Sequence, residues 1–124
     1  MSVAILKQGG YLIASIRSDL SDSEVIELRN ELAELVGKHR ARGIVIDVAA
    51  LDVIDSFVTR ALEAIVLTAR LRGAETVIVG IHPDVAIAMV QFRLNLGPLR
   101  VALDLDKATA LLDRLTRGAA QDGG

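Results

Sequence analysis

The chain has 124 residues, 52% hydrophobic and 24% charged, which is enough to close one core and excludes a disordered polymer. Its net charge of −2, the absence of a basic block and 2% aromatic content remove both the electrostatic footprint of a phosphate-backbone binder and the ring platform of a single-strand binder. With no cysteine there is neither a disulfide framework nor a thiolate metal site, and His39 and His82 have no partner at metal-ligand spacing.

"VAILKQGGYLIASI" reads as two strands around the turn dipeptide Gly9-Gly10. Helical spacing follows, with Val25, Leu28, Leu32, Leu35 and His39 on one stripe. Ser21 and Glu24 make a capping box, Leu20 and Val25 suit a hydrophobic staple, and Gly43 is read as the stop. "IVIDV", 44–48, is a β-branched run expected in a strand covered on both faces, with Asp47 as a strand-end acid that holds the next loop.

A short loop through Asp52 and Asp55 leads to a second helix over 57–72, whose face is Val58, Ala61, Leu62, Ile65 and Ala69 and whose end is Gly73. "TVIVG", 76–80, is another buried strand. "HPDVAIAMVQFRLNLG" gives a third helix with Pro83 at its favoured first position and Gly97 after its end. "LRVA" is a short strand, and a last helix capped by Asp104 carries Leu105, Ala108, Leu112 and Leu115. The expectation is an α/β fold, a mixed, mostly parallel sheet with about four helices packed against it. It forms a single domain over 1–117, and the polar, Gly-rich 118–124 is expected to be a flexible tail. The start "MSVAILKQGG" lacks the pattern of a signal peptide and no apolar run spans a bilayer, so a cytoplasmic domain with no membrane partner is expected.

In open α/β sheets, sites gather beyond the carboxyl ends of the parallel strands, which points to the loop holding Asp52, Asp55 and Ser56. Ser56 has two compatible readings. It is a helix N-cap, or it is a solvent-presented hydroxyl whose phosphate would meet a helix N-terminus while Asp52 and Asp55 repel it. Enzyme chemistry has little support. Neither histidine is placed as a base for Ser56, and no nucleophile elbow, phosphate loop or metal-binding helix motif is present. No cofactor is implied. Val66, Leu67, Leu71, Ile87, Val90 and Leu94 exceed what one buried stripe requires, which points toward partners.

"DVIDSFVTRALEAIVLTARLRGAETVIVGIHPDVAIAMV" and then "VALDLDKATALL" resemble a STAS domain, the fold of anti-anti-sigma factors, and within it the RsbS-type stressosome scaffold. The resemblance implies a non-catalytic scaffold in which Ser56 is phosphorylated by an RsbT-type serine kinase of the GHKL class. Thr59 is a second candidate hydroxyl, and Asp52, Asp55 and Thr59 are expected to join Ser56 in the partner-binding surface by their proximity to it. It further implies sequestration of that kinase, its release on phosphorylation, and resetting by a PP2C-type (RsbX-type) phosphatase. An RsbR-type STAS paralogue is the implied assembly partner, in a homodimer or large assembly. Anti-anti-sigma factors read Asp-Ser-Ser-Gly at the acceptor. Phe57 and Val58 follow "DS" here, which favours the scaffold over the alternative of direct capture of an anti-sigma kinase.

Overall fold

The computed structural model describes residues 4–92 and 100–123. Strands β1 (Ile5–Gln8) and β2 (Tyr11–Ser15) form the expected hairpin, with Gly9 at φ 60° in the turn. Helix α1 (Asp22–His39), β3 (Gly43–Asp47), α2 (Ser56–Leu71), β4 (Glu75–Val79), α3 (Pro83–Gln91), β5 (Val101–Ala102) and α4 (Leu105–Gly123) follow. The sheet order is β1-β2-β3-β4-β5; the first pair is antiparallel and every later pair parallel.

Register explains the layers. Ile46 lies between Ala14 and Ile78, and its neighbour Val45 between Ile13 and Val77. Because successive side chains leave opposite faces, one strand serves two cores. Leu12, Ile44, Ile46 and Ile78 pack with Leu28 and Leu32 of α1, Leu62 and Ile65 of α2, and Val85 and Met89 of α3. On the other face Tyr11, Val45, Val77 and Val79 meet Ala108 and Leu112 of α4. Truncating any of the fully buried leucines would cost about 2–5 kcal/mol.

The capping box at Ser21 is formed in both directions, Glu24 N–H to Ser21 Oγ at 3.2 Å and Ser21 N–H to Glu24 Oε1 at 3.0 Å. Asp104 caps α4 through Lys107 N–H at 2.9 Å, and Pro83 opens α3. Three sequence expectations are corrected. The stop of α1 is Arg40, in the left-handed region at φ 49°, and not Gly43. Gly43 begins β3, where a Cβ would lie 2.8 Å from a Leu112 methyl, so its small size admits α4. The α1 stripe is completed by Val36, with Leu35 half-buried and His39 exposed, because the helical period of 3.6 drifts away from a strict four-residue step. Helix α3 ends at Gln91, earlier than the expected Gly97, which lies outside the described residues, as does Leu94.

Candidate functional site

The loop from β3 to α2 is built on two inward anchors, Leu51 at 2% and Ile54 at 5% exposure. Between and after them Asp52, Val53, Asp55 and Ser56 are turned to solvent. The backbone is fixed from three sides. Asp47 Oδ1 accepts the Ala49 N–H at 2.8 Å, which fulfils the expected role of a strand-end acid. Ser18 Oγ accepts the Asp52 N–H at 3.0 Å and donates to the Ala50 carbonyl at 3.3 Å, which ties in the β2–α1 connection. His82 Nε2 donates to the Ala49 carbonyl at 2.6 Å from the β4–α3 connection, and that bond places the proton on Nε2.

Ser56 is not the N-cap. Asp55 takes that position, its backbone extended and its Oδ1 accepting the Val58 N–H at 2.8 Å. Ser56 becomes the first helical residue, exposed, and no group among the described residues hydrogen-bonds its hydroxyl. A carboxylate has displaced a hydroxyl from the capping role, since both residue types suit it and Asp55 comes first. That leaves the Ser56 Oγ available at the amide-rich end of α2.

Thr59 differs. It is 2% exposed, and its Oγ1 donates to the Asp55 carbonyl at 2.8 Å. The structure therefore brings Asp52, Asp55 and Ser56 onto one surface and puts Thr59 beneath it, so direct partner contact by Thr59 is corrected to a supporting position. Burial follows from the helix period, since Thr59, Leu62 and Val66 fall on the inward side.

Two features escaped sequence reasoning. Val53 is 75% exposed beside the acids, an apolar contact point in a charged rim. Arg29 of α1 and Arg60 of α2 flank Ser56, Phe57 and Ala61 around an open cleft of about 380 Å³. The spacing of Ser56 and Arg60 could have flagged one arginine; the other arrives only through packing of α1 on α2. Of the surplus apolar residues, Leu67, Leu71, Ile87 and Val90 are exposed, whereas Val66 is buried at 5%. No group of three or more potential metal ligands occurs among the described residues, and no helix among them is long and apolar enough to cross a membrane.

The family model of the STAS domain matches residues 2–108. A solved RsbS of Moorella thermoacetica, carrying a serine-to-glutamate substitution, is 38% identical with a TM-score of 0.86, covering 94% of this chain and 99% of that one. A chain from the architecture of the stressosome, described as a signal integration and transduction hub, is 39% identical with a TM-score of 0.81, covering 92% and 99%. The unphosphorylated anti-sigma factor antagonist SpoIIAA is 11% identical with a TM-score of 0.69 over 93% and 98%, a likeness of fold alone. A search of curated protein sequences gives no match. The chain belongs to the STAS domain family, and its likeness within that family runs to RsbS and the stressosome.

Proposed function

We propose that this protein is a non-catalytic stressosome scaffold that holds an RsbT-type serine kinase and releases it when Ser56 is phosphorylated. The observation that carries the reading is the exposed, unengaged Ser56 hydroxyl on the first turn of α2, on a loop whose backbone is fixed on three sides. A phosphate there adds nearly two negative charges without disturbing the buried anchors Leu51 and Ile54. Asp52, Val53 and Asp55 complete the surface that the kinase would contact. The added charge, beside two carboxylates, changes that surface from mixed to strongly anionic. RsbR-type STAS paralogues are the proposed assembly partners and a PP2C-type phosphatase the resetting enzyme. The likeness to a stressosome chain supports assembly, and the serine-to-glutamate substitution in the Moorella relative introduces a negative charge at a serine in that protein.

The test is site-resolved phosphorylation by the RsbT-type kinase and ATP, with Ser56→Ala beside the wild type and kinase retention followed by pull-down. One phosphate on Ser56, accompanied by kinase release and absent in the variant, is expected. No incorporation, or modification elsewhere with release intact in Ser56→Ala, sinks the reading. Recovery of an anti-sigma factor without any large particle would instead support direct anti-anti-sigma action.

A further inference from the structure

We propose that Arg29 and Arg60 form an anion pocket that receives the phosphate of modified Ser56. The inference rests on Ser56 being the acceptor. The cleft of about 380 Å³ is lined by Arg29, Ser56, Phe57, Arg60 and Ala61, two guanidiniums and one hydroxyl with no carboxylate among them. Asp52 and Asp55 lie on the loop that precedes the helix, so a phosphate at Ser56 is repelled from the loop and drawn toward the α1–α2 seam. Arg60 stands four residues after Ser56 on the same helix, the spacing at which an acidic group and a following basic one face each other. Arg29 comes from α1, so the two cations approach from different elements.

Their present partners are weak. Arg29 Nε and Nη2 donate to the neutral Asn30 Oδ1 at 3.3 and 3.2 Å, and Arg60 Nη1 stands 3.9 Å from Glu63 Oε1. A phosphate dianion offers three acceptor oxygens and matches the guanidinium fork, so it displaces both contacts. Transfer forms the Ser56 Oγ–P bond and breaks the bond between the γ-phosphorus of ATP and its bridging oxygen. ADP leaves, and the hydroxyl proton passes to the kinase. The new group then cross-ties the first turn of α2 to α1. A partner reading this surface loses two accessible cations as well as meeting a phosphate.

The experiment incorporates phosphoserine at position 56 during synthesis and follows its second ionisation by phosphorus NMR, in the wild type and in Arg29→Gln/Arg60→Gln. The groups facing the phosphate are Arg29, Arg60, Asp52, Asp55 and, behind Arg60, Glu63. The carboxylates are common to both proteins, so the difference reports the arginines. The midpoint is expected to lie lower in the wild type by about half a unit or more, because nearby cations favour the dianion. Circular dichroism of the unmodified double variant confirms its fold. Independently of any substitution, the Arg29 and Arg60 Nε–H resonances of the wild type are expected to shift between serine and phosphoserine forms. Coincident midpoints together with unmoved resonances overturn the pocket. No kinase enters this test, so its failure is distinct from a failure of the kinase to modify Ser56.

Discussion

Ser56 and Thr59 are one helical turn apart, and their surroundings assign them different work. The Thr59 hydroxyl is engaged by the Asp55 carbonyl beneath the surface, while that same carbonyl also accepts the Thr59 N–H at 3.1 Å. Thr59→Val therefore loses one buried hydrogen bond but strands no acceptor. It should cost about 1 kcal/mol, read as a lower denaturation midpoint, with phosphate incorporation at Ser56 unchanged. A loss of incorporation without loss of stability would return Thr59 to the list of acceptors. Tyr11, on the opposite sheet face, offers a pH test. Burial first, and then the hydrogen bond it donates to Asp113, raise its phenol above the ordinary value of 10.0. The folded state thus favours the neutral phenol. Its contribution is complete below the unfolded pKa of about 10 and is lost as pH rises through the higher folded value. Tyr11 is the only tyrosine in the chain, so phenolate absorbance reads it directly, and it should appear at higher pH in the native than in the denatured protein.

Among the elements, the two connections at the carboxyl edge of the sheet, already joined by the His82–Ala49 hydrogen bond, also approach closely at Gly80. Gly80 sits at φ 77°, and a Cβ there would lie 2.8 Å from the Ala49 Cβ and 3.1 Å from its backbone. Gly73 has a similar φ of 85° with nothing within 4 Å. Gly80→Ala should therefore lower thermal stability clearly more than Gly73→Ala, which carries only the backbone penalty of about 1 kcal/mol. Equal losses would show that the two connections do not press on each other. This scale also shows what a linear sequence reveals. Caps at Ser21 and Asp104, Pro83 and the continuous β-branched run "IVIDV" are local signals, and each was legible. The contest between Asp55 and Ser56 for one capping position was not, because both residues satisfy the same rule. Nor was the approach of Arg29 to Ser56, which depends on how α1 seats against α2.

At the scale of the whole molecule, most apolar residues are absorbed by two cores on either side of one sheet, and α3 keeps Ile87 at 58% and Val90 at 76% exposure. Three residues apart, they share one side of that helix. We propose that this side takes part in assembly. Ile87→Lys/Val90→Lys should leave the unfolding free energy of the isolated chain within about 0.5 kcal/mol of wild type, since both side chains are largely exposed and cations suit the end of α3. Sedimentation should show fewer large particles with RsbR-type partners. Undiminished particle formation would remove α3 from the interface. The outline of the fold was readable at this scale because helices and strands alternate; which helix covers which face was not, since both faces present aliphatic residues.

The strands are laid down side by side in the order in which the chain is synthesised, each joining its predecessor, until α4 turns back across the sheet. Tyr11 meets Asp113 across a separation of 102 residues, one of the long reaches by which α4 closes the second core. A nascent chain can thus complete its α1–α2 side while still on the ribosome, yet Tyr11, Val45, Val77 and Val79 stay uncovered until α4 emerges. Folding of these residues passes through a half-roofed sheet, and α4 is the helix that ends its exposure to chaperones and to sticky neighbours.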